Sequence, residues 1–196
     1  MGSFISIGIV YTDKNIIKMG DDLVDIIKYL SPFCNKIVVN YPDDDICENW
    51  EEKSFVGEEG FEKAFSILND KKFSTGKIYC KIQNKDYNVL VSIKGKNDLF
   101  RGILFEIPEE ELFLEKFSSD ILDIITDKIA NSIIELWNNT EFNYAFCDSE
   151  ADIEYSLCEV RASEKPIYSM LLLKNEFNQP IVRLGSWCID GLTPRK

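Results

Sequence analysis

Four carboxylates, Asp148, Glu150, Asp152 and Glu154, occupy every second position of the stretch YAFCDSEADIEYS, residues 144–156. Oxygen donors at that density suggest three chemistries. They could ligate a hard cation such as calcium, which takes several carboxylate oxygens. They could supply catalytic acid and base, as paired carboxylates do in glycoside or metal-assisted phosphate hydrolysis. Or they could form an anionic surface that steers and pairs with a basic protein.

The first two chemistries lack their other parts. Counted from Asp148 as position 1 of a calcium loop, acids fall at positions 1, 3, 5, 7 and 12, the last being Glu159. Position 6 is Ile153, where the sharp turn requires glycine and a β-branched residue resists. The following YSLCEVR reads as a strand and not as an exiting helix, so no metal is expected. Hydrolysis needs acids from separated segments, 43–45 and 148–154, to meet in one cleft. No phosphate loop or nucleophile elbow accompanies them. The chain has no histidine, which removes Ser-His and Cys-His catalysis and weakens any case for zinc. Its six cysteines are scattered without a CxxC, and the start MGSFISIGIVYTDK lacks the features of an export signal. Free, largely buried thiols in a soluble cytoplasmic protein are expected, with no cofactor and no enzyme activity.

Charge is unevenly spread. The formal net charge is −12, yet residues 41–62 carry nine acids against one base, 106–127 eight against one, and 141–164 seven against one. Those segments sum to −21, so everything else is +9. Such a chain repels nucleic acid phosphate and anionic membranes and attracts basic proteins. The competing reading is that each charge run is merely a solvated face.

The elements that must position these groups are legible from periodicity. FISIGIVY (4–11) alternates as a strand, with Ile5, Ile7, Ile9 and Tyr11 on one face and Gly8 marking a close neighbour on the other. Asp21 or Asp22 caps a helix carrying Leu23, Ile26, Ile27 and Leu30, which Ser31-Pro32 stops. A strand at 36–41 follows, then a helix near 58–70 with Phe61, Ala64, Phe65 and Leu68 inward. Strands at 76–82, 87–93 and 101–107 form a meander. IPEEEL (107–112) opens a helix whose glutamates complement its positive end. A long helix near 118–138 shows Ile121, Ile124, Ile125, Ile129, Ile133, Leu136 and Trp137 as its apolar face. FNYAFC, IEYSLCEVR, IYSMLLL and IVRLGSWCI read as four closing strands. The sum is a single α+β domain over 1–196 with a largely antiparallel sheet and packed helices.

GILFEIPEEEL, the long helix and then FNYAFCDSEADIEYS, together residues 101–160, resemble the small α+β immunity proteins of bacterial polymorphic toxin systems, and among them the immunity protein 64 family. The resemblance implies a cytoplasmic antidote that binds one cognate toxin domain stoichiometrically. On this reading the charged contacts are Asp148, Glu150, Asp152 and Glu154, with Asp43, Asp44 and Asp45 as a second group. Tyr155 and Trp50 stand beside them as candidate aromatic anchors. The toxin would be basic, and a nuclease cleft is one such surface. Two other classes compete: a carboxylate-dependent or metal-binding hydrolase, and a general acidic adaptor or nucleic-acid mimic. Oligomeric state is left open by the sequence.

Overall fold

β1 (Phe4–Thr12) turns its alternating sequence into a strand buried on both sides. Ile5, Ile9 and Tyr11 face a layer of helices, and Ile7 packs against the same core. Gly8 and Val10 face the opposite way. The neighbour over Gly8 is the Phe146 ring, its partner in register, and a Cβ on Gly8 would come within 2.1 Å of it.

The computed structural model describes residues 3–30, 36–43, 47–71, 73–82, 85–96, 99–113 and 118–196. From β1 a 3-10 turn (Asp13–Lys18) runs into α1 (Met19–Leu30), followed by the hairpin β2 (Lys36–Pro42) and β3 (Trp50–Val56) and by α2 (Gly57–Asp70). The meander β4 (Thr75–Ile82), β5 (Lys85–Lys96) and β6 (Phe100–Pro108) comes next. The one-turn α3 (Glu109–Leu112) and the long α4 (Ser119–Trp137) lead to β7 (Tyr144–Ser149), α5 (Leu157–Ala162), β8 (Met170–Lys174) and β9 (Pro180–Leu184). These strands form one sheet in the order β3-β2-β4-β5-β6-β1-β7-β8-β9, and every adjacent pair is antiparallel. The fold is α+β with an antiparallel sheet, as expected from the alternation. The two runs of strands are joined through β1, which pairs with β6 on one side and β7 on the other.

One face of the sheet is covered by α1, α2 and α4. The other has a smaller core over β6, β1, β7 and β8, roofed by the segment that contains the acidic row.

Several local expectations are corrected. The 41–62 segment contains a strand, β3, beside the expected helix. Neither Asp21 nor Asp22 is the cap of α1, because the 3-10 turn feeds the helix directly and both lie in its first turn. Asp22 instead accepts from the Glu141 backbone N–H at 2.9 Å, and burial raises its pKa. Ser31-Pro32 lies outside the described residues. Pro108 ends β6, and α3 is a single turn whose glutamates are used locally: Glu109 accepts from the Ser3 hydroxyl, Glu111 from the Asn88 N–H at 2.7 Å and its side-chain amide at 2.8 Å.

α4 is rotated from its expected face. Ile121 and Ile124 are about half exposed, whereas Leu122, Thr126, Ala130, Ile133, Leu136 and Trp137 are buried. Thr126 can be buried because its hydroxyl donates to the Leu122 carbonyl at 2.7 Å. Ala130 lets the helix approach the sheet, and Ile125 and Ile129 line an apolar cleft of about 350 Å³ beside it. The expected strand over 153–161 is a loop and the helix α5. Ser156 caps that helix, accepting from the Glu159 N–H, while the Glu159 carboxylate accepts from the Ser156 N–H at 2.7 Å. This capping box overrides the strand-like alternation of the preceding residues. Of the described cysteines, Cys147 and Cys188 are buried, Cys47 is half-buried and Cys158 is exposed; all four are free thiols.

Candidate docking surface

β7 delivers the acidic row to the sheet surface. Asp148, its penultimate residue, is half-buried and committed to the fold: it accepts from the Ser169 N–H at 3.0 Å and the Ser169 hydroxyl at 2.6 Å. Glu150 then turns the chain with φ +49°, its N–H donating to the Phe4 carbonyl at 2.9 Å. Beyond it the side chains alternate. Glu150, Asp152 and Glu154 are exposed, while Ala151, Ile153 and Tyr155 pack into the smaller core.

Three fixings hold this roof down. Ile153, 4% exposed, lies over Gly102 of β6, where an added Cβ would meet Ile153 Cδ1 at 2.7 Å and the Ile9 carbonyl oxygen at 2.6 Å. The Tyr168 hydroxyl donates to the Asp152 carbonyl at 3.2 Å, and its ring stacks on Phe146 at 3.9 Å between centroids. Tyr155 sets its edge against Tyr168 at 6.0 Å, and the Tyr144 hydroxyl donates to the Tyr155 carbonyl. Burial raises the pKa of both Tyr144 and Tyr168, so these hydroxyls remain protonated donors at neutral pH.

The exposed acids are not neutralised from within. Among the described residues no lysine or arginine forms an ion pair with Glu150, Asp152 or Glu154. A further carboxylate, Glu106 of β6, is half-buried on the same face, one strand from Asp148 across Ser6. Burial raises its pKa, Lys94 offsets this, and the charge of Asp152 adds to it. Sequence reasoning passed over Glu106 because it reads as one polar residue in an apolar strand; the glycine in RGILFEI was the available signal that another segment lies close.

The second group lies elsewhere. Asp43 is exposed, and its N–H closes a turn onto the Asn49 carbonyl at 2.9 Å. Asp44 and Asp45 lie outside the described residues. Trp50, half exposed at the start of the edge strand β3, donates its indole N–H to the Cys47 carbonyl at 3.1 Å. From β2 to β7 is five strand steps, about 24 Å at the usual interstrand spacing. Because β2 and β7 run in opposite directions, their C-terminal ends also point to opposite ends of the sheet. Asp43 therefore does not share a cleft with the 148–154 acids, which removes the convergence a two-segment hydrolase would need. Among the described residues no cluster of three or more His, Cys, Asp or Glu has metal-binding geometry.

The chain is matched over residues 1–195 by the family model of immunity protein 64. The chain belongs to that family. The match takes in the amino-terminal hundred residues as well as the 101–160 segment that carried the resemblance. No curated protein and no solved structure matches it. Membership supports an immunity function and implies a cognate toxin as partner. Among the described residues no helix is long and apolar enough to cross a membrane.

Proposed function

We propose that this chain, acting as one unit in the cytoplasm of the producing cell, neutralises its toxin by stoichiometric docking without turnover, and that the roof residues Glu150, Asp152 and Glu154 meet a basic surface of the toxin domain. The observation that carries the reading is their placement: three solvent-facing carboxylates with no ion-pair partner among the described residues, on a segment whose alternate residues are anchored in a core. Pre-organisation means little ordering cost on binding, and an unneutralised field accelerates encounter. Asp148 shapes the turn into the segment, and Tyr155 gives it an aromatic footing. Asp43 and Trp50 stand apart from the roof, and with Asp44 and Asp45 of the same acidic run they are the second set of contacts assigned to a large toxin domain. A toxin whose cleft binds phosphates, such as a nuclease, has the required charge. The same net charge disfavours nucleic acid and anionic membranes as ligands.

The test uses this chain and the toxin domain encoded beside its gene. We expect co-purification as an equimolar complex whose association rate falls as salt is raised. The triple variant Glu150→Lys, Asp152→Lys, Glu154→Lys should associate at least about tenfold more slowly while melting like the parent. No complex at micromolar concentrations would refute the immunity reading for that toxin. A complex indifferent to the triple variant would refute the assignment of the surface. Equal, salt-sensitive binding to many unrelated basic proteins would instead identify a general acidic adaptor.

A further inference from the structure

The two edges of the sheet are finished differently. β3 carries Glu51, Glu52 and Lys53 along its length, charges of the kind that discourage pairing with another sheet. β9 has the sequence PIVRL, with one charge and one proline, and exposes apolar side chains on both faces: Ile181 on one, Val182 and Leu184 on the other. Phe177, 80% exposed, precedes it and Trp187, 52% exposed, follows it.

The hydrogen-bond phase of β9 is fixed by its ends. Asn175 N–H donates to the Gln179 carbonyl and Gly185 N–H to the Ser169 carbonyl, each at 2.9 Å. Alternation between them assigns the pairs Leu173–Ile181 and Leu171–Arg183 to the ladder with β8. Val182 and Leu184 therefore turn both N–H and C=O outward, and Pro180 turns out a carbonyl, where its missing N–H costs the ladder nothing. We propose that this edge pairs with the same edge of a second copy, antiparallel about a two-fold axis through Val182.

That register is self-complementary. Val182 exchanges two hydrogen bonds with its symmetry mate, and each Leu184 N–H reaches the Pro180 carbonyl opposite. Ile181 lies beside the aliphatic stem of Arg183 from the other chain. Phe177, in the turn between β8 and β9, and Trp187, just past the strand, place an exposed aromatic ring at each end of the paired edge. Charge permits the approach. Residues 165–196 hold five Lys or Arg against two Asp or Glu, and Arg195 and Lys196 are paired with Asp123 and Asp120 of α4, so this end of the sheet carries little net charge within a chain of net −12. The acid that would keep two copies apart sits elsewhere, and the pairing leaves the 150–154 roof, which is anchored over β6 and β7, uncovered. This inference stands apart from toxin binding.

Sedimentation of the purified chain decides it. We expect a dimer at tens of micromolar, and a monomer for Val182→Pro, whose lost N–H points away from β8 and whose far-UV circular dichroism should match the parent. Phe177→Asp, at a residue too exposed to matter for folding, should weaken the dimer about tenfold or more. A parent that stays monomeric overturns the proposal, as does a dimer that survives both substitutions. If Val182→Pro fails to fold, Phe177→Asp decides alone. A monomeric parent whose toxin binding is lost in Phe177→Asp would assign the edge to the toxin and overturn self-pairing.

Discussion

The roof at 150–155 and the hairpin of β2 and β3 are both rich in acid, and they treat it in opposite ways. In the hairpin, Glu51 is paired with Lys53 at 2.6 Å and accepts from the Tyr41 hydroxyl, and the lysine followed by that hydroxyl lowers its pKa. On the roof side, burial and then the charge of Asp152 outweigh Lys94 and raise the pKa of Glu106. Local pairing makes the charge of Glu51 part of the hairpin's own structure. The roof's charge faces outward with no ion-pair partner among the described residues, and what holds the segment is apolar contact beneath and hydrogen bonds to its backbone. The difference teaches that a count of acids does not locate a docking surface; the anchoring and pairing of each acid does.

Substitutions can break this contrast in order of size. Ile153→Ala should cost the most, about 3 kcal/mol by thermal or denaturant unfolding, because it removes a fully packed side chain from the smaller core. Gly102→Ala should cost about 2 kcal/mol, since the new Cβ meets both Ile153 and the backbone of β1. Ser156→Ala should cost about 1 kcal/mol by loss of the α5 cap, and it should loosen the roof more than the sheet, seen as faster amide exchange at 151–160. Trp50→Ala, at a half-exposed edge position, should change stability by no more than about 0.5 kcal/mol. A stability loss comparable to that of Ile153→Ala would erase the distinction between the two regions.

Acid titration sharpens the comparison by sign. Glu106 has a raised folded pKa, so the folded state binds more protons than the unfolded one between about pH 4.5 and that higher value. Its contribution is best below the unfolded pKa and turns unfavourable as pH rises through the window. Glu106→Gln should therefore stabilise the protein at pH 7 and lose that advantage below about pH 4. Glu51, with a lowered pKa, contributes above its unfolded pKa and loses the contribution as the solution is acidified. Glu51→Gln should have the opposite pH dependence, measured as the difference in melting temperature between pH 7 and pH 4.

Much of the sheet was legible because its strands alternate, and the alternation of acids at 150, 152 and 154 matches exposed side chains without a strand being there, whereas Asp148, in the same series, is drawn into the fold by Ser169. What stayed hidden has physical causes. WEEKSFV, which became β3, carries three charges, because an edge strand exposed on both sides needs no apolar face. The isoleucines of α4 spread over so much of its circumference that periodicity could not fix its rotation; Thr126 and Ala130, poor hydrophobic markers, are the residues at the contact. In YSLCEVR the branched and aromatic residues suggested a strand, while Ser156 and Glu159, three apart, already spelled a helix start. Trp50 and Tyr155 looked alike as anchors, but their depths differ because only Tyr155 has Tyr168 to lean on.

The place of β1 has a consequence for how the antidote comes into being. Its nine residues are made well before their hydrogen-bonding partners, Phe100–Pro108 and Tyr144–Ser149, which lie about a hundred residues or more downstream. Contacts of such long sequence separation make for slow, late folding. Protection should therefore arrive all at once, only after residue 149 has been made, and a message truncated before it should yield no fractional antidote.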